Sequence, residues 1–317
     1  MMLSLLASLS TLVAAPVGGP EVRWNAPSMF VAGQPFKVAI EITAPKDGTV
    51  VSSWLLTPSA FTVDGKALAK REDQGTLNLP PGFTLTGSVD LGTYLQSGAE
   101  FKLGYASEVV DTPAVTVKSI EGAPADLNFM TMPLDELSKY MVLLQTNRGD
   151  ILVRLWPHIA PEHSRNYFDL AYTKFYDGTT FHRVIPQFMI QGGDPTGSGS
   201  GNGPRQLKAE FNPAVKHLRG VLSAARTSDP NSASCQFFIM HGAAPHLDGQ
   251  YSAFGETVLG LDVVDKIIAT RGPNDRPTSP QKIERALVVK LPSWVDPKPS
   301  QTATGPGGSL PGPTKDK

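Results

Sequence analysis

The chain has 317 residues, enough for about two domains. Its 28 Lys and Arg against 29 Asp and Glu leave a net charge of −1, so no basic field points to nucleic acid or an anionic membrane surface. With 30 Gly and 28 Pro and few aromatics, the composition favours strands and loops over helical bundles.

In chain order, the apolar run from about Leu3 to Val17 is too short, and too broken by serines and Pro16, for stable membrane insertion. Small residues at Val13-Ala14-Ala15 suit a signal peptidase, although no Lys or Arg precedes them. Residues 1–19 are therefore expected to be a signal peptide, and the mature chain extracytoplasmic, either periplasmic or secreted. Residues 20–120 read as all-β. Phe36, Val38, Ile40 and Ile42 alternate with Lys37, Ala39, Glu41 and Thr43, and Asp47-Gly48 and Asp64-Gly65 mark turns. About seven short strands at this turn spacing predict a β-sandwich, immunoglobulin-like in architecture only, since no cysteine pair marks it. It holds no polar constellation for catalysis, which leaves a binding, spacing or docking role with an unknown partner.

Residues 121–138, with Gly122, Pro124 and Pro133, read as a linker. A second domain is expected over 139–293. It opens on a hairpin, Val142–Thr146 and Ile151–Trp156, around the turn Asn147-Arg148-Gly149. A helix is predicted from Pro161 to about Lys174, since proline suits a first turn and Tyr167, Leu170 and Ala171 share a face. Strands follow near 179–183, 187–191, 219–224 and 236–240, then a helix over Leu261–Ala269 and a last strand over Ile283–Leu291. Most of these strands are not separated by helices, so the sheet should be mainly antiparallel and close into a barrel. The Pro/Gly-rich tail, 294–317, is expected to be disordered. Cys235 is the single cysteine, so no internal disulfide can form, and its apolar setting predicts a buried, inert thiol.

The run Phe181-His182-Arg183-Val184-Ile185-Pro186-Gln187-Phe188-Met189-Ile190-Gln191-Gly192-Gly193-Asp194 is the most informative stretch. A half-buried sheet would present Arg183, Gln191, Phe188 and Met189 together on one concave face. That set suits a site that grips an apolar, uncharged group and offers it one strong donor. Other chemistries fit poorly. The six histidines form no close i, i+4 pair, so no metal or other cofactor is expected. The glycine-rich run 197–204 lacks a following Lys-Ser/Thr and reads as a surface loop rather than a phosphate cradle. Ser223 and His182 could be imagined in a hydrolase triad, but no G-x-S-x-G elbow or oriented acid accompanies them.

The run resembles the signature strand of cyclophilin-type peptidyl-prolyl cis-trans isomerases. Two further stretches are similar in order and spacing: Leu222–Thr227 followed by Ser234–Ile239, and His246–Gly255. The resemblance covers about 140–292 and says nothing of the first 120 residues. It implies a mainly β fold, a closed eight-stranded antiparallel barrel with two capping helices, and an isomerase of X-Pro bonds in exported or folding proteins that needs no cofactor. By the same resemblance Arg183 is the catalytic guanidinium, with Gln191 beside it and His182 at the rim. Phe188, Met189, Phe238 and Leu247 would form the proline pocket. Ala225, Arg226, Gln236, His246 and Tyr251 would contact the flanking polypeptide. Many cyclophilins carry Trp at His246, a ring that helps bind cyclosporin-type inhibitors, so the resemblance does not extend to strong inhibition. Arg226 stands where eukaryotic members often have Asn, and one extra residue separates it from Gln236. A module that captures proline peptides with incidental turnover is the rival reading, and docking of a protein or glycan by the sandwich a third.

Overall fold

The computed structural model describes residues 19–71, 75–96, 98, 100–105 and 113–301. The expected signal peptide up to residue 18, and the tail beyond 301, lie outside the described residues. The chain divides into two compact units at Gly122/Ala123.

The first unit is all-β. Its strands are β1 (Glu21–Asn25), β2 (Met29–Val31), β3 (Lys37–Thr43), β4 (Thr49–Ser52), β5 (Phe61–Val63), β6 (Lys66–Ala67), β7 (Thr76–Leu79), β8 (Thr84–Asp90), β9 (Phe101–Tyr105) and β10 (Val115–Ile120). They form sheets ordered β1-β3-β8 and β2-β10-β9-β5-β6, with β4-β7 as a separate ribbon. β2 joins β10 in parallel, so the unit is not purely a set of hairpins. Alternation along β3 buries Val38, Ile40 and Ile42, as the period-2 pattern predicts. These side chains share one core with Phe61, Leu103, Tyr105 and Val117 of the five-stranded sheet. Trp24 meets Phe61 edge-on at 6.0 Å and lies parallel to Tyr105 at 6.4 Å.

The second unit is one eight-stranded sheet with few helices. Its strands are β11 (Tyr140–Thr146), β12 (Gly149–Leu155), β13 (Arg183–Ile185), β14 (Met189–Gly192), β15 (Val221–Ala224), β16 (Phe237–Met240), β17 (Ala253–Leu259) and β18 (Ile283–Lys290). The spatial order is β13-β14-β16-β15-β17-β12-β11-β18, and every pairing is antiparallel. The sheet curls far enough for Thr180, just before one edge strand, to bridge both Asp194 and Lys282. Lys282 immediately precedes the other edge strand, and the Phe181 N–H donates to the Gln281 carbonyl at 2.8 Å. The helices are α1 (Leu134–Leu137), α2 (Pro161–Tyr172) and α3 (Leu261–Ile268). Pro161 opens α2 as the sequence predicts, but the cap comes from far away: Glu210 accepts the N–H groups of Glu162 and His163. Gly260 takes φ +96 before α3, where a Cβ would lie 2.3 Å from the Asp150 carbonyl oxygen.

Two stretches that read as unstructured are held in place. From Ala123 onward the expected linker belongs to the second unit. Phe129 is fully buried, stacked on Phe168 at 5.2 Å, and Arg165 donates to the carbonyls of Phe129, Met130 and Met132. Pro133 caps α1, and Leu127, Phe129 and Leu137 supply an apolar face. The start of the expected disordered tail is also packed. Val295 is buried, and the buried Arg154 guanidinium donates to the carbonyls of Asp296 and Lys298. Gln301 exchanges two hydrogen bonds with the Lys216 backbone, at 2.7 and 2.9 Å.

Candidate active site

Strand alternation on β14 and β16 splits their side chains between two destinations. Ile190, Phe237 and Ile239 face the main core with Val184, whereas Met189 and Phe238 face the other way with Leu247 and Met240. Register brings the outward set together: Arg183 is opposite Gln191, and Gln191 is opposite Phe238. Gly193 closes this corner with φ +85, and a Cβ there would come within 2.6 Å of the Cys235 carbonyl oxygen.

Two adjoining clefts result. The first, about 180 Å³, has Phe188, Met189, Phe238, Leu247 and Tyr251 as its apolar walls and Arg183, Gln191, Ala225 and Arg226 along its edge. The second, about 280 Å³, is polar and uncharged apart from Arg226, with Ser200, Asn202, Thr227, Ser232, Ser234 and Gln236 around it. Gln191, Ala225 and Arg226 belong to both.

A chain of donors crosses the floor. The exposed Arg183 guanidinium donates to the Gln191 amide oxygen at 3.4 Å. The Gln191 amide nitrogen donates to Gln236 Oε1 at 3.0 Å, and the Gln236 Nε2 donates to the carbonyls of Gly199 and Gly201 at 3.0 and 2.9 Å. Behind this glycine loop sits Asp194, fully buried. Its carboxylate accepts the N–H groups of Thr196, Gly199 and Gly201 and the Thr196 hydroxyl. Burial alone would raise the Asp194 carboxyl, but these donors outweigh it and hold it well below the usual carboxylate range. The glycine-rich loop thus wraps a carboxylate of its own chain, which explains its composition without any phosphate.

Phe238 is fixed from behind. The His217 ring lies nearly parallel to it at 6.4 Å, and Tyr251 meets it edge-on at 5.9 Å. His217 Nδ1 is 3.1 Å from Asp248 Oδ1 and its Nε2 is 3.1 Å from Ser223 Oγ. Burial lowers the His217 pKa despite the neighbouring Asp248. Ser223 has no exposed surface, so this Ser-His-Asp arrangement braces the wall and offers no nucleophile. The sequence pairs Ser223 with nothing useful, because His217 and Asp248 are 31 residues apart and only the fold joins them.

Most residues expected at the site meet there; two do not line it. His182 immediately precedes β13 and is only 7% exposed. Burial lowers its pKa despite the nearby Asp194 carboxylate. It lines neither cleft directly; a Cβ on Gly199, which lines the second, would lie 3.6 Å from its ring. His246 is exposed and lies outside both linings, with its ring 5.7 Å from that of Phe188. Cys235 is buried behind the glycine loop, and burial pushes its thiol up to about 11, in keeping with an inert group. Among the described residues no group of three or more potential metal ligands clusters.

With this geometry in view, residues 141–288 match the family described as "Cyclophilin type peptidyl-prolyl cis-trans isomerase/CLD". Peptidyl-prolyl cis-trans isomerase CYP18-1 of Arabidopsis thaliana is 40% identical over 156 residues, which are 48% of this chain and 97% of that protein. Peptidyl-prolyl cis-trans isomerase ppi1 of Schizosaccharomyces pombe is 42% identical over 153 residues, 47% of this chain and 98% of that protein. A solved Cryptosporidium parvum cyclophilin type isomerase, crystallised in the presence of the dipeptide Ala-Pro, is 32% identical, covers 47% of this chain and 98% of its own, and has a TM-score of 0.45.

Proposed function

The chain belongs to the cyclophilin-type peptidyl-prolyl cis-trans isomerase family, and on that premise we propose that it rotates X-Pro bonds without covalent chemistry, with Arg183 as the key donor. The amide resists rotation by about 18–20 kcal/mol because of resonance. At a twist near 90° the proline nitrogen becomes pyramidal and basic. Arg183 then donates to its emerging lone pair, an interaction absent from both planar isomers, so it lowers the barrier selectively. Phe188, Met189, Phe238 and Leu247 hold the ring in the first cleft and keep water from the twisted amide. Gln191, Ala225, Arg226, Gln236 and Tyr251 guide the flanking backbone. An acceleration of about 10⁵ requires roughly 7 kcal/mol, of which one donor supplies about 3–4 kcal/mol. The clefts must supply the remainder.

The observation that carries this reading is an exposed guanidinium, steadied by a glutamine, at the edge of an apolar cleft whose lining contains no serine, cysteine or carboxylate among the described residues. Exchange spectroscopy on a proline peptide, with wild type and Arg183→Ala, tests it; undiminished turnover in the variant would sink the mechanism.

The finer architecture is part of the same reading. The contacts of Thr179 and Thr180 with residues 281–283 support an eight-stranded barrel closed between its edge strands, with α2 and α3 as caps. The shared core of the two larger N-terminal sheets supports a sandwich with a binding or spacing role. The apolar run near the N-terminus supports export, which N-terminal sequencing of the mature chain tests: an unprocessed Met1 would refute it.

A further inference from the structure

Arg226 is placed more elaborately than a backbone contact needs. Its guanidinium carbon lies 4.4 Å from the centre of the Tyr251 ring and 5.7 Å from that of Phe211, over both faces. Its Nε and Nη2 donate to the Gln250 carbonyl at 3.3 and 3.0 Å, and its Nη1 to the Thr227 carbonyl at 2.7 Å. All these acceptors are neutral, so they fix the plane of the group and leave its charge uncompensated. The carboxylates of neighbouring segments are engaged elsewhere. Asp194 holds the glycine loop, Glu210 caps α2 and meets His163, and Asp248 is joined to His217 and Lys216. Asp229, on the same loop as Thr227, accepts from its own Asn231 N–H.

The two clefts therefore carry a single sign of charge. Their linings hold Arg183 and Arg226 and no Asp or Glu among the described residues, in a chain whose net charge is −1. Among the described residues neither guanidinium forms an ion pair. Arg226 also stands at the junction, lining both clefts, so a peptide with its proline in the first must pass it to reach the second. A half-buried, immobilised cation with an uncompensated charge gains most from a carboxylate brought by the ligand, because little side-chain freedom remains to be lost.

We propose that Arg226 is a specificity-determining residue that selects proline peptides carrying a carboxylate one to three residues from the proline, on the side that enters the polar cleft. The proposal rests on the isomerase reading and narrows its substrate class to acidic proline segments. The serine, threonine and asparagine side chains of the second cleft would add neutral hydrogen bonds around that carboxylate without repelling it.

The test is a set of short peptides in which Glu replaces Gln one, two or three residues from proline, on either side, assayed by exchange spectroscopy. In wild type at low salt, kcat/KM for Glu should exceed that for Gln by about three- to tenfold at one or more positions on one side. The ratio should shrink as salt rises, approach one in Arg226→Gln, and survive in part in Arg226→Lys. A ratio near one at every position in wild type overturns the proposal, as does a preference that persists in Arg226→Gln. If Arg226→Gln does not fold, the salt titration of wild type decides, and a ratio indifferent to salt overturns it. Absence of turnover on a neutral Ala-Ala-Pro-Phe peptide by folded wild type would instead refute the isomerase reading. The ratio of Glu to Gln peptide dissociation constants, measured by calorimetry on wild type and Arg226→Gln, then decides the role of Arg226 separately.

Discussion

The two units use the same material, short β-strands, and differ in what they bury. Among the described residues, every buried Asp, Arg, His, Ser, Thr, Asn and Gln side chain lies between Gln145 and Gln301, in the second unit. The first unit buries tryptophan, phenylalanine, valine and isoleucine and leaves its charges outside. Burying a polar group costs free energy unless each donor and acceptor is satisfied. The first unit meets it at few positions, such as Tyr105, whose buried hydroxyl donates to the Leu55 carbonyl at 2.8 Å. The second unit accepts it at Asp194, His217 and Ser223, and each of these lies directly behind a wall of the clefts. At these three positions polar burial backs a cleft wall, whereas Arg148 and Arg154 are buried against Gln281 and the Lys298 carbonyl.

Four experiments can break or sharpen this contrast. The largest change in stability is expected at Phe61, fully buried against Trp24 and Tyr105. Phe61→Ala should cost about 3–5 kcal/mol in denaturant unfolding, with turnover unchanged. A loss of turnover would show that the division of labour is wrong. Arg183→Ala should do the reverse. Turnover, measured as kcat/KM, should fall about 10²- to 10³-fold while stability shifts by less than about 0.5 kcal/mol, since the side chain is exposed and makes one long hydrogen bond.

Asp194→Asn joins the two effects. An amide cannot accept at both ends, so the variant should lose about 2–3 kcal/mol and also slow turnover by loosening the loop that supports Gln236. The acid limb gives the sign. The Asp194 carboxyl is held below its unfolded value, so its stabilisation is complete above about pH 4 and is lost as pH falls further toward the folded value. The variant should therefore unfold with a flatter pH dependence below about pH 4.

The smallest effect concerns the buried histidines. Burial lowers the pKa of His182 and of His217, so protonation favours the unfolded chain. Stability should be level above about pH 6.5 and decline below it, by at most about 1.4 kcal/mol per pH unit for each ring. His182→Asn should remove part of that slope. An unchanged slope would place the titration elsewhere.

Much of this is legible in linear order. Alternation along β3 and the hairpin β11–β12 are local patterns, and the run from Phe181 to Asp194 carries both the guanidinium and two walls of the first cleft. Where the structure departs from the linear pattern, the departures share a cause. Gly122, Pro124 and Pro133 signal turns, but whether the residues between them pack depends on a partner elsewhere, and Phe129 finds Phe168. The segment before Gln301 looks like tail, yet its carbonyls are what Arg154 needs. The resemblance places His182 at the rim, and in the structure its side chain is buried just before β13.

By itself, then, the sequence determined strand periodicity, the sign of the charge in the Phe181–Asp194 run and the apolar residue types beside it. These follow from chemistry carried within about a dozen residues. Only the tertiary structure decided that Arg226 stands where two clefts join, that His217 reaches Asp248 and Ser223, and that a glycine-rich loop encloses Asp194. Each depends on groups brought together from distant parts of the chain. A buried polar group takes whichever partner the packed core places beside it, and no local pattern records which one that is.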